Sequence, residues 1–209
     1  MLHAAGEVFA EEGYAKATSK EICRRANANV AAVNYHFGSK DGLYAAVLEE
    51  AHSRLVSLEA VAAAAQSAID PQLKLRTLLT RLVAEIVNRN RTAWELRVLS
   101  REVLSQSPMM DRLVENQIAP KAKFLRTIIG QIMDLPADHP SVSRAVINVI
   151  GPCMMMLITT RALQQKVAPQ MELDAESLTE HMVVYALGGM KAVARKAAAT
   201  KGKSNGKRA

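Results

Sequence analysis

The chain has 209 residues, 49% of them hydrophobic and only 4% aromatic. That is enough apolar material for a sizeable core, which excludes wholesale disorder, and its Ala, Leu, Val and Met bias suits packed helices better than sheets. The net charge is +7, but Arg195, Lys196, Lys201, Lys203, Lys207 and Arg208 follow one another without an acid and carry most of it, leaving the rest near neutral.

In chain order, Leu2, Ala5 and Phe9 fall on one face of a first helix, and Gly13 is its stop signal. Thr18-Ser19-Lys20-Glu21 precedes apolar Ile22 and Cys23. A Thr with a Glu three residues on is a capping box, in which each side chain satisfies an N–H the first helical turn leaves free. Asn27, able to adopt a left-handed conformation, ends this short second helix, and Asn29 caps a third that runs through Val33 and Phe37 to Gly38. Ser39 caps a long fourth helix predicted from Lys40 to about Ala65, joining two domains continuously.

Two short helices separated by a tight turn and held between neighbours have the spacing of a helix-turn-helix. Between Lys16 and Lys40 stand Lys20, Arg24 and Arg25 against the single acid Glu21, a basic stretch suited to phosphates.

Further on, Asp70-Pro71 opens a helix to about Asn90. Another spans Thr92 to Ser105, and a third Met109 to Met133 with a kink expected at Pro120. A long apolar helix is predicted over Ser141 to Val167, and the last over Asp174 to about Ala198. The expectation is therefore an all-α chain of about nine helices and no strand. Its divisions are 1–48 for the helix-turn-helix, 49–198 for a helical regulatory unit, and 199–209 for a disordered basic tail.

The string TSKEICRRANANVAAVNYHFGSKDGLY, with Gly13, Thr18, the Ile22-Cys23 pair, Ala26, Tyr35-His36-Phe37, Lys40 and Leu43, resembles the DNA-binding segment of the TetR family. Within that family, the stretch from Asn29 to Lys40 is most similar to the branch containing the CecR regulators. Asn27 replaces the usual turn glycine, and Asn34 the usual aromatic of the recognition helix.

The resemblance implies a ligand-responsive transcriptional regulator, most often a repressor, that binds a palindromic operator in double-stranded DNA as a homodimer. Val30, Ala31, Ala32 and Asn34 would face base edges, and Asn34 has the chemistry to pair with adenine. Thr18, Ser19 and Lys20 at the second helix, with Tyr35, His36 and Lys40, would hold phosphates. Helix packing is the other reading of Val30 and the alanines, and Thr18 also serves as a simple cap. Dimerisation is expected through the last two helices, with Val142, Val146, Val149, Cys153, Leu157 and Leu163 on one apolar side and Met182, Tyr185, Gly188, Gly189 and Ala192 on another.

For an unknown small-molecule effector, Trp94, Arg97, Arg101 and Met154 are the candidate contacts. A core anchor fits Trp94 equally well, a salt-bridged face fits the two arginines, and core packing fits Met154. No enzyme is expected, because the five histidines form no His-x-x-x-His pair and neither a glycine-rich phosphate loop nor a nucleophile elbow occurs. Neither metal nor cofactor is expected. Cys23 and Cys153, far apart in apolar surroundings, read as reduced thiols of a cytoplasmic protein with no membrane partner.

Overall fold

The computed structural model describes residues 1–67, 69–88, 93–170 and 174–205, with the side chains of Ala32, Asn88 and 200–205 outside the description. Among these residues there is no strand; twelve α-helical segments and one π-helical turn follow one another.

The first four segments follow their local signals. Helix α1 (Leu2–Lys16) is broken at Gly13, whose φ of 78° and ψ of 165° no helix accommodates. Thr18 caps α2 (Ser19–Ala26) by accepting from the Glu21 N–H at 3.2 Å. The reciprocal half of the expected box is not made. The Glu21 carboxylate goes to Arg24 and Arg25 instead, because charged donors outcompete a neutral N–H. Asn27 ends α2 in the left-handed region at φ 48°, and the Ala28 N–H returns to the Cys23 carbonyl. Helix α3 (Val30–Phe37) stops at Gly38, with φ of 75°. Ser39 then caps α4 (Lys40–Leu55), accepting from the Gly42 N–H.

Two of the expected rods are each cut in two, and a third carries a π-helical turn. The rod from Lys40 to Ala65 breaks at Val56, which is extended, so that α4 is followed by a separate α5 (Leu58–Gln66). The rod from Met109 to Met133 becomes α8 (Met110–Leu113), a π-helical turn (Val114–Ile118) and α9 (Ala119–Met133). Pro120 has no N–H to give and its ring crowds the preceding turn; the wider π turn just before it absorbs the misfit. The rod from Ser141 to Val167 runs unbroken through Pro152 as α10 (Pro140–Ile158), then resets at Thr160, whose hydroxyl caps α11 (Arg161–Val167). Between these lie α6 (Pro71–Asn88) and α7 (Trp94–Leu104), and the chain ends in α12 (Ala175–Asn205), which passes the expected end at residue 198. Of the tail predicted over 199–209, residues 206–209 lie outside the described residues, as do all side chains from 200 onward.

The chain packs as two units, and the first is not contiguous in sequence: Met1–Leu58 with Asn88–Pro120, against Glu59–Val87 with Lys121–Ala209. In the first unit α1, α4 and α7 pack on one another around Val8, Phe9, Leu43, Tyr44, Leu48, Trp94 and Val98, all buried. Phe9 and Tyr44 hold their ring centroids 4.6 Å apart. The boundary expected at residue 48 falls inside α4. The second unit buries Leu75, Leu79 and Val83 of α6, Ile128 and Ile129 of α9, Val149 and Cys153 of α10, and Val183 of α12.

Candidate nucleic-acid interface

On helix α3 Val33 is fully buried and Phe37 half-buried, and on α2 Ile22 and Cys23 are buried. Ala31, Asn34 and Tyr35, one or two residues from Val33, point away from it and are exposed, and Val30, one turn before Val33 on the same side of the helix, is exposed as well. Val30 is 45% exposed and Tyr35 86%, unusual for apolar and aromatic side chains on a packed helix. His36 is also exposed and stands edge-on to Tyr35 with centroids 5.0 Å apart. The Ala32 side chain lies outside the described residues.

Helix α2 offers its N-terminus to solvent as well. Thr18 and Lys20 are exposed and Ser19 half-buried. The basic stretch is weaker as a cation patch than its count implies. Arg24 and Arg25 both bond Glu21 at 2.8 Å, and Arg25 also reaches Glu11 at 2.8 Å. These two guanidiniums, Arg24 first, hold the Glu21 carboxyl down to about 2, so the pairs stay ionised through the neutral range.

Lys40 is likewise engaged. Its ammonium donates to the Tyr14 carbonyl at 3.0 Å and the Ala17 carbonyl at 3.3 Å, and lies 4.7 Å from the centre of the Tyr14 ring. An ammonium has three N–H donors, so one is left for a phosphate. Tyr14, which sequence reasoning passed over, donates its hydroxyl to Asp41 at 2.8 Å and fastens the end of α1 to the start of α4. Only its place after Gly13 could have drawn attention to it.

The four candidate effector contacts are divided between the units: Trp94, Arg97 and Arg101 belong to α7 in the first, and Met154, half-buried, to α10 in the second. Trp94 packs over Gly6 of α1, with His3 and Arg54 beside its ring. Arg97 and Arg101 do share a target, but it is main chain: Arg97 Nη2 and Arg101 Nε donate to the Ala10 carbonyl at 3.1 and 2.9 Å, and Arg101 Nη2 to the Glu11 carbonyl at 3.0 Å. Surface cavities among the described residues of the second unit include one of about 360 Å³ beside Gly130 and Pro136 and one of about 980 Å³ between Arg76 and Glu180, and none of the four residues lines either. Among the described residues no group of three His, Cys, Asp or Glu side chains is placed to hold a metal ion.

The expected dimer faces divide unequally. On α10, Val142, Val149 and Cys153 are buried within their own unit, while Ile147 is 70% exposed and Met155 is also outward. The helix is apolar on more than one side, so its periodicity could not tell inside from outside. On α12, Tyr185, Gly188, Gly189 and Ala192 are exposed and Met182 half-buried, with Val184 exposed beside them. Helix α10 is also long and apolar enough to cross a membrane by length and composition alone, with mean hydropathy 1.6.

A capped α2, a left-handed turn and an outward-facing α3, together with a second unit that has no strand among its described residues, define a helix-turn-helix regulator. The chain belongs to the TetR family of transcriptional regulators and carries the CecR type of C-terminal domain. The family described as "HTH-type transcriptional dual regulator CecR, C-terminal domain" matches residues 71–190, and "Bacterial regulatory proteins, tetR family" matches residues 1–47.

Among solved structures, the fold is similar to the TetR family regulator PfmR of Thermus thermophilus (TM-score 0.65, 20% identity, covering 89% of this chain and 96% of that one). It is similar to FadR of Bacillus subtilis, solved in complex with stearoyl-CoA (TM-score 0.68, 14% identity, 90% and 96% covered). It is also similar to AibR, solved with isovaleryl coenzyme A and operator DNA (TM-score 0.64, 16% identity, 87% and 93% covered). No curated protein sequence matches the chain.

Proposed function

We propose that this chain is an effector-responsive repressor that binds a palindromic operator as a homodimer. The observation that carries this reading is the outward face of α3: Val30, Ala31, Asn34 and Tyr35 stand in solvent while Val33 is buried and Phe37 half-buried. A recognition helix needs that division, because base edges in the major groove are read by side chains with no structural duty of their own. Val30, Ala31 and Asn34 read bases. Asn34 pairs with adenine, worth roughly 1–3 kcal/mol of discrimination. Thr18, Ser19, Lys20, Tyr35, His36 and the spare donor of Lys40 hold phosphates and set the register.

A single unit with so few unpaired cations binds weakly, so two copies are needed. The second copy is assigned to the exposed apolar side of α10 and α12, where Ile147, Met155, Tyr185 and two adjacent glycines leave a face that a water-soluble monomer has no reason to keep. The effector is a small molecule held in the second unit, with Met154 in its seat. Arg97 and Arg101 are left out because both turn to the main chain of α1. Two proteins of the same fold were solved with CoA thioesters, so acyl-CoAs of graded chain length are the first class to screen.

The experiment is in vitro selection of duplexes by the purified protein, followed by mobility shift at fixed salt and sedimentation of the complex. A palindrome bound by two subunits, with Asn34→Ala relaxing its sequence preference and Tyr35→Ala weakening all sequences alike, supports the reading. Equal affinity for scrambled duplex removes it.

A further inference from the structure

The break in α1 creates an unusual demand just ahead of the proposed DNA-binding residues. Where Gly13 leaves the helical region, the carbonyls one turn back stand at an effective C-terminus, with unsatisfied oxygens and the negative end of the helix dipole. Two guanidiniums from α7 meet that need. Arg97 and Arg101 both donate to the Ala10 carbonyl, and Arg101 also to that of Glu11. The Arg101 fork lies against Gly13 itself, 3.4 Å from where a Cβ would stand. From Glu11 the chain of contacts continues into α2: its carboxylate holds Arg25 at 2.8 Å. On the far side of the break Lys40 grips the Tyr14 and Ala17 carbonyls. Residues 13–17 are therefore clamped from both ends, and the next residue is Thr18, the cap of α2.

We propose that Arg97 and Arg101 are positioning residues for DNA binding: by fixing the broken end of α1, they set where the α2 N-terminus presents Thr18, Ser19 and Lys20 to the phosphate backbone. The inference rests on the DNA-binding reading above. Neither arginine needs to touch DNA. A planar fork suits the task, since it reaches two carbonyls from one rigid group, whereas a lysine ammonium is a point donor.

The test compares the wild-type protein with Arg97→Ala, Arg101→Ala, Arg101→Lys and the double Arg97→Ala/Arg101→Ala, each also combined with Lys20→Ala. Affinity for a wild-type-selected operator is measured across a salt series. The double variant is expected to bind about tenfold more weakly after correction for its folded fraction. Its salt slope should fall by about one, the signature of one lost phosphate contact. Lys20→Ala should cost less in that background than alone, and Arg101→Lys should recover part of the loss. A purely structural role changes the folded fraction but leaves slope and coupling alone, so an unchanged slope, or costs that simply add, overturns the proposal.

Backbone amide exchange without DNA gives a separate arm. Residues 14–21 should exchange faster in the double variant while the centre of α4 does not, and unchanged exchange at 14–21 also overturns it. If the wild-type protein selects no operator, the DNA reading fails and exchange alone decides the clamp. If the double variant does not fold, the single variants and Arg101→Lys, which keep one cation on the Ala10 carbonyl, decide it.

Discussion

Tyr44 on α4 donates its hydroxyl to Glu102 on α7 across 2.9 Å, although 58 residues separate them in sequence. The other carboxylate oxygen of Glu102 accepts from the backbone N–H and the hydroxyl of Ser107, at 2.9 and 3.0 Å. Glu102 is only 1% exposed, so these donors stand in for the water it has lost. Burial, and secondarily the neighbouring carboxylate, push the Tyr44 hydroxyl far above its usual range, so it remains a donor at any working pH. Tyr44→Phe keeps the ring against Phe9 but strips one donor from the acid. The expected loss is about 1–3 kcal/mol in urea unfolding. A loss within error would mean that water replaces the hydroxyl.

Gly6 and Trp94 make a second contact that tolerates no addition. A Cβ at residue 6 would lie 2.2 Å from the indole ring. Gly6→Ala must therefore displace the ring or part α1 from α7, at a cost of about 1–3 kcal/mol. Trp94 is the only tryptophan, so its fluorescence reports the displacement directly. A red-shifted emission with a lowered Tm is expected. An unaltered spectrum would refute the packing described.

Lys121 gives the second unit a distinctive pH response. It is 7% exposed on α9, and burial holds its ammonium below the usual 10.5, to about 8, against the opposing charge of Glu59. The folded chain thus gives up this proton before the unfolded chain does. Between about 8 and 10.5 the unfolded state binds more protons, so this group adds stability as pH rises, while below 8 the full cost of a buried ammonium is present. In the difference between wild type and Lys121→Met, the variant should be at least as stable at neutral pH and the gap should narrow across that window. A gap independent of pH would contradict this.

Gly188 separates the chain's own needs from those of a second copy. A Cβ there meets nothing within 4 Å, so Gly188→Ala removes a poor helix former at no steric cost and should stabilise α12 by up to about 1 kcal/mol. If the proposed dimer uses this face, Gly188→Leu should be equally well folded by circular dichroism yet associate more weakly than the wild type in sedimentation. Unchanged association would move the interface elsewhere.

The helix-turn-helix was legible because its chemistry is local. A cap at Thr18, a left-handed Asn27 and the outward spacing of Val30, Ala31, Asn34 and Tyr35 are each settled within a few residues. The role of Arg97 and Arg101 was not legible, since their acceptors are main-chain carbonyls 87 to 91 residues away, and side-chain spacing carries no sign of them. Reading the two as a pair on one face was sound; what the pair faced required the fold.

Helix breaks divided similarly. The kink expected near Pro120 has a covalent cause and appears as the π turn just before it. The reset at Thr160 carried a visible cue, a threonine three residues ahead of the N–H it accepts, hidden by an apolar run on both sides. At Val56 neither Gly nor Pro marks the stop; the following Ser57 is the only conventional start residue. The sides of α10 stayed ambiguous for a different reason, because valine, isoleucine and methionine surround the helix and hydrophobicity alone does not rank them.

Because α7 is threaded into the first unit from far along the chain, the DNA-reading half is not a cassette. A truncation or hybrid gene carrying only the first 58 residues would keep the reading helix but lose the wall behind Phe9, Tyr44 and Leu48, stranding an oily seam on α1 and α4. Exchange of operator specificity between relatives should therefore succeed by grafting the few outward side chains of α3, and fail by swapping contiguous N-terminal blocks.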